Sequence, residues 1–369
     1  MKRSTTAVFL GVVLAGLAAC GTPDESAVAP EPTGVADEVE ALGSQEAVDE
    51  MDRLYQAAQD AGEDRVTIYG AGENDRGPVY EVFMARYPGI QVSGEHLTGP
   101  DFDSKISNEF ASGQHVGDLV QGGDTSVAGH IEEGKYVPYT PLTAEGLDPR
   151  WTEPTNTVHA AAALPFGIGY NTNAVDTGDA PQTWDALKDE TWRGRIVMDD
   201  PTVSGSSLSA FRALLADERF GQDYLNTMAA QEPHNENGSQ NTGAAVASGE
   251  FDIAGYYPYS FFIRESAKGA PMGFVFPTEG GSYVSGHYLG LIDGAPNPNA
   301  AKLLMNWLFT PEGQQALAAV GYYPTMPDSD GPADFPPMRE LDLIRSTPLE
   351  TVATETQQAL ETIQEVWPK

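Results

Sequence analysis

Two tyrosines stand side by side in the run Gly255-Tyr256-Tyr257-Pro258-Tyr259, which follows the apolar segment Phe251 to Ala254. A phenolate is a hard oxygen donor suited to ferric iron. A neutral phenol hydrogen-bonds to an organic ligand or stacks on it, and plain packing beside a strand end is the third reading. Adjacent in an irregular loop, and not alternating along a strand, Tyr256 and Tyr257 read as ligand-facing. A second segment, Asp199 to Ser207, separates an expected strand from an expected helix. Its Ser204, Gly205 and Ser206 either leave helix-start N–H groups free for phosphate, carbonate or carboxylate, or supply only an N-cap. A third, Gly70-Ala71-Gly72-Glu73-Asn74, follows the first strand of the folded part. Ligands of open α/β sheets bind beyond the carboxyl ends of strands, which is where Glu73 and Asn74 stand; Glu73 faces a ligand there or is a solvated loop acid. Asp124, after Gly122-Gly123, carries the same two readings.

Other chemistry lacks its motifs. No two of the six histidines are four residues apart, so there is no HExxH-type zinc helix, and no GxSxG elbow or Walker lysine occurs. The turns at Gly70 and Gly167 lack the third glycine of a dinucleotide fingerprint. Without a catalytic constellation the chain reads as a non-enzyme with no catalytic cofactor; a secreted lipoprotein enzyme or adhesion module is the remote alternative. A net charge of −34, from 54 acidic against 20 basic residues, argues against nucleic acid and against a basic membrane-binding patch. The single cysteine excludes an intramolecular disulfide and a Cys-based zinc site.

The elements that must position these segments follow from pattern. Lys2 and Arg3 precede an apolar run, Ala7 to Ala19, too short for an ordinary transmembrane helix; it reads as an export signal, residues 1–19. Leu17-Ala18-Ala19-Cys20 resembles a lipobox, which makes Cys20 the lipid attachment site and places the protein on the outer face of the cytoplasmic membrane. Residues 20–43, rich in Ala, Pro and acids and without aromatics, read as a disordered tether. From Ser44 an apolar face at Val48, Met51, Leu54 and Ala58 predicts a helix ended by Gly62. Strand and helix patterns then alternate, which implies an α/β fold with a mostly parallel sheet.

The order of these segments resembles bacterial extracellular solute-binding proteins of ABC importers, in the branch containing ferric-iron-binding proteins. The resemblance rests on Val66-Thr67-Ile68-Tyr69-Gly70, Gly169-Tyr170-Asn171, Pro181-Gln182-Thr183-Trp184, Trp192-Arg193-Gly194, Ser204-Gly205-Ser206, Ser248-Gly249-Glu250, Gly255-Tyr256-Tyr257, Gly294-Ala295-Pro296 and Pro311-Glu312-Gly313 in that order. It implies a periplasmic-binding-protein type II fold of two α/β lobes with a hinge of crossing strands. The expected division is 44–164 plus 284–320 for lobe 1, 165–283 for lobe 2, and 321–369 as a C-terminal segment packing on the lobes. It further implies a monomer that captures ferric iron through Tyr256, Tyr257 and Glu73, with a companion anion at Ser204, Gly205 and Ser206, for delivery to an ABC permease and ATPase. Relatives that take phosphonates, polyamines, thiamine or other small organic solutes supply the alternative ligand class.

Overall fold

The apolar face at Val48, Met51, Leu54 and Ala58 becomes a helix whose ends are set by local chemistry. Ser44 accepts a hydrogen bond from the Ala47 N–H at 3.1 Å, and Gly62 takes the left-handed conformation (φ 73°) that closes the last turn. The computed structural model describes residues 35–97, 99–203, 205–332 and 335–367. The signal segment, Cys20 and Ser204 lie outside the described residues. This first long helix is α2 (Gln45–Ala61), and a short one, α1 (Val35–Leu42), precedes it. Leu42 is buried, so the far end of the expected tether is helical and packed.

The chain then runs β1 (Arg65–Gly70), α3 (Gly77–Arg86), β2 (Gln91–His96), α4 (Gly99–Ser112), β3 (Leu119–Gly122), α5 (Asp124–Glu132) and β4 (Tyr136–Val137). β1 lies parallel to β2 and to β3, the arrangement that helical crossovers allow. A 14-residue strand, β5 (Val158–Asn171), follows and is buried throughout. A second α/β unit comes after it: β6 (Ile196–Asp199), α6 (Ser206–Ala216), α7 (Gly221–Ala230), β7 (His234–Glu236), α8 (Ser239–Ser248), β8 (Ile253–Pro258), α9 (Tyr259–Ala267) and β9 (Met272–Val275). Here β6 is parallel to β7 and β8. The chain returns along β10 (Val284–Ile292), α10 (Pro298–Leu308), α11 (Pro311–Ala319) and β11 (Tyr323–Pro324), and ends in α12 (Val352–Val366).

The two units meet on one strand. Along β5, Pro165 pairs with Val284 of β10, whereas the next residue, Phe166, pairs with Pro258 of β8. The strand order β2-β1-β3-β10-β5-β8-β6-β7 therefore places one lobe on each side of that step, the two-lobe α/β architecture with crossing strands that the sequence implies. The C-terminal helix α12 packs on α5 of lobe 1 and on α6 and α7 of lobe 2. Trp367, just beyond it, lies against Phe211 of α6 with ring centroids 4.9 Å apart. Among the described residues no helix is long and apolar enough to cross a membrane.

Two expectations need correction. The sheet is mixed and not mostly parallel, because the crossing strands β5 and β10 pair antiparallel with every neighbour. Tyr256 and Tyr257 are not in an irregular loop but inside β8. The strand is bulged there, with a register shift against β5 and Tyr256 at φ 52°, and the two rings enter separate apolar clusters.

Candidate functional site

The loops at 71–75, 123 and 200–203 leave the carboxyl ends of β1, β3 and β6, where open α/β sheets bind their ligands. The first loop leaves β1 at Gly70, where an added Cβ would lie 1.8 Å from the Gln121 carbonyl oxygen; only glycine lets β1 and β3 approach so closely. Glu73 follows, but it does not face a ligand. Its side chain is buried and forms an ion pair with Arg76 while accepting a 2.5 Å hydrogen bond from the Tyr80 hydroxyl. Burial pushes the Glu73 carboxyl up, and Arg76 and Tyr80 pull against it. Arg76 also donates to the Ala71 carbonyl at 3.2 Å and to His287 Nδ1 at 2.7 Å, and it lies over the Tyr322 ring. Burial first, then the charge of Arg76, holds His287 well below its ordinary value, so the imidazole is neutral and accepts. Glu73 thus balances a buried guanidinium. Asn74 beside it is exposed.

On the lobe 2 side three hydroxyls at two helix starts are already engaged. Asp199, at the end of β6, accepts hydrogen bonds from Ser239 Oγ (2.6 Å) and Thr242 Oγ1 (2.8 Å) at the start of α8, and from the side chain and backbone of Ser206 at the start of α6. Burial pushes the Asp199 carboxyl up, and these four bonds oppose it. Ser206 thus bonds to the protein's own carboxylate, and Gly205 is exposed.

Tyr256, with φ 52°, stacks on Trp184 (centroids 5.1 Å, planes 9° apart), and its hydroxyl lies 2.6 Å from that of Tyr224. Tyr257 belongs to a separate apolar cluster with Val197, Val246 and Met272. Burial pushes both phenols above their ordinary value, so both are neutral at neutral pH. The Tyr257 hydroxyl is buried without a hydrogen-bond partner and stands over Gly243 of α8, where an added Cβ would lie 2.0 Å from it. Gly243→Ala is accordingly expected to cost about 1–3 kcal/mol by overpacking, partly offset by the better helix propensity of alanine. Tyr257→Phe in the same chain should recover most of the loss in a urea-unfolding midpoint; equal midpoints for the single and double variants would contradict this packing.

Contacts between the lobes come from other side chains. Asp124, the first residue of α5, accepts from the Thr125 N–H at 2.7 Å and pairs with Arg212 of α6 in the opposite lobe. Arg212 is 3% exposed and also donates to Thr347 (3.1 Å) and Thr356 (2.7 Å) of the C-terminal segment. Arg264 of α9 reaches toward Asp75 of the first loop, with Nη1 3.7 Å from the carboxylate. Among the described residues no group of three or more His, Cys, Asp or Glu side chains is arranged to hold a metal ion. A depression of about 750 Å³ lined by Asn173, Asp189, Trp192 and Arg195 lies at the amino end of β6, away from these loops.

A family model of bacterial extracellular solute-binding proteins matches residues 118–343, more than half of the chain. The chain belongs to that family. The solute-binding fold extends beyond the matched residues. Iron-bound HitA from Pseudomonas aeruginosa superposes with a TM-score of 0.64 at 20% identity, covering 82% of this chain and 99% of that one. AfuA from Actinobacillus pleuropneumoniae, with exogenous fructose-6-phosphate bound, superposes at 0.65 and 19% identity, covering 82% and 98%. A probable ABC transporter periplasmic-binding protein, y4fP, of Sinorhizobium fredii is 23% identical over 80% of this chain and 83% of its own length. The chain spans only about half the length of two other curated relatives that it matches, 55% and 49%.

Within this solute-binding protein, the site residues that sequence reasoning picked fall into groups. Asp124 reaches the interlobe contact; Glu73, Ser206, Tyr256 and Tyr257 are engaged or enclosed within their own lobes. The residues missed are Arg76, Arg212, Arg264 and Asp199. For the three arginines the sequence signal is scarcity, since the whole chain has 20 cationic residues; Asp199, one of 54 acids, has none.

Proposed function

We propose that this solute-binding protein captures a small organic anion, carrying a phosphate or carboxylate group, between its lobes and delivers it to the permease and ATPase of an ABC importer, while tethered to the membrane through lipid on Cys20. The observation that carries the reading is the contrast between two sets of side chains. Guanidinium groups of lobe 2, Arg212 and Arg264, reach across to the loops of lobe 1. The oxygens suited to ferric iron are withdrawn: the Glu73 carboxylate is paired with Arg76, and the two neutral phenols lie in separate apolar clusters. Metal ligands of this kind must lose their protons, which burial opposes here. The y4fP relative supports the transporter assignment, and AfuA with its sugar phosphate supports the ligand class. Ferric iron is the second reading; the adjacency of Tyr256 and Tyr257 and the likeness to iron-bound HitA favour it.

Thermal unfolding with fructose 6-phosphate, inorganic phosphate and ferric nitrilotriacetate separates the two. Saturation at about 100 Kd stabilises the native state by roughly 2.7 kcal/mol. The proposal expects that stabilisation from a phosphate compound, and native mass spectrometry of freshly purified protein should show an added organic mass. A visible phenolate-to-iron charge-transfer band, with stabilisation by iron alone, would overturn it.

A further inference from the structure

We infer that Arg264 is the anchor for the anionic group of the transported solute and that Asp75, across the gap, competes with that solute for it. The inference rests on the anion-capture reading and names which of the cross-lobe cations does the work. Every nitrogen of Arg212 has a partner: Asp124, Thr347 and Thr356 accept from Nη2, Nε and Nη1. Arg264 differs. Its Nη2 is buried and has no hydrogen-bond partner. Its closest carboxylates, Asp75 at 3.7 Å from Nη1 and Glu265 at 3.8 Å from Nε, are beyond hydrogen-bonding distance. Glu265 is instead engaged by Lys268 at 2.8 Å. The planar group is held in place by the Phe261 ring, 4.4 Å from its central carbon to the ring centroid.

Buried polar atoms in native proteins almost always find a partner, so a buried guanidinium nitrogen without one marks a place where a bound molecule completes the set. Four buried side-chain oxygens without a partner lie in the same lobe: Ser207 Oγ, Gln231 Oε1, Tyr257 Oη and Ser266 Oγ, the last of them two residues beyond Arg264 in α9. A guanidinium presents paired N–H donors that match a carboxylate or phosphate, so the missing partner is an oxyanion. Asp75 belongs to the first loop of lobe 1, so it sits opposite Arg264 only when the lobes are together. A solute oxyanion placed on Arg264 must displace or repel it.

The test uses the full mature chain and calorimetric titration with fructose 6-phosphate and, separately, inorganic phosphate. Arg264→Gln should weaken binding by about ten- to hundredfold, since it removes charge-assisted hydrogen bonds. Arg264→Lys keeps the charge without the fork and should fall between. Asp75→Asn should tighten binding by about two- to fivefold, as loss of a partly exposed competing charge would. Urea midpoints for each variant exclude loss of fold as the cause. If wild type binds either probe and Arg264→Gln binds it equally well, the anchor is elsewhere although the anion reading stands. Tighter binding by Arg264→Gln, or weaker binding by Asp75→Asn, also overturns the inference. If wild type binds neither probe, the anion reading fails and the inference with it.

Discussion

Glu73→Ala should be among the most damaging single substitutions in this protein, costing about 3–5 kcal/mol, because it strands a buried charge. Arg76 is 0% exposed, and among the described residues Glu73 is its only acidic partner. What remains after the substitution is the Ala71 carbonyl, the His287 imidazole and the face of Tyr322, none of which carries a negative charge. His287 cannot compensate: burial and the same guanidinium already keep it neutral. Glu73→Gln retains an oxygen acceptor but no charge and should recover only part of the loss. The diagnostic comparison is Glu73→Leu combined with Arg76→Met. Replacing both members of a buried pair by apolar groups of similar size is often close to neutral, so the double variant should have a higher urea midpoint than Glu73→Ala alone. If the double variant is the weaker of the two, Glu73 has a different role, and a ligand-facing one returns to consideration.

The contrast between fold and site in what the sequence reveals has a physical origin. The helix from Ser44 to Gly62 was legible because cap, apolar period and C-terminal glycine are all local. The hinge strand carries a similarly local signal: the run from Ala161 to Tyr170 has no charged or amide residue, as a strand buried on both faces requires. Tyr256 and Tyr257 misled because adjacency in sequence says nothing of direction once the segment pairs as β8. At this bulge the first ring stacks on Trp184 and the second hydroxyl stands against Gly243. Helix α9 escaped notice because its Tyr-Ser-Phe-Phe-Ile start is rich in residues of mediocre helix propensity, and packing against α8 and β9 stabilises it instead. The role of Asp199 was not legible because its hydrogen-bond donors lie at Ser206 and at Ser239, at the starts of two different helices. The cross-lobe arginines are the extreme case, since Asp124 and Arg212 are 88 residues apart and only the closed arrangement of the lobes joins them.

That last contact sets the second large effect. Arg212→Ala removes the cation facing Asp124 and two hydrogen bonds to the C-terminal segment, and it leaves a carboxylate that is 8% exposed without its partner. The expected loss is again about 3–5 kcal/mol. Its consequence differs from that at Glu73, because the broken contact joins the lobes instead of stabilising one of them. With α12 still seated on α5, α6 and α7, the lobes remain tethered on that flank but lose the ion pair beneath it. Small-angle scattering should therefore report a larger radius of gyration for Arg212→Ala than for wild type in the absence of solute. A double-mutant cycle with Asp124→Ala should give a coupling of about 0.5–3 kcal/mol, the range found for residues in direct contact. An unchanged radius together with additive losses would mean that α12 and the β5 crossing hold the lobes together without the ion pair. In that event solute binding, and not Arg212, would have to supply the free energy of closure.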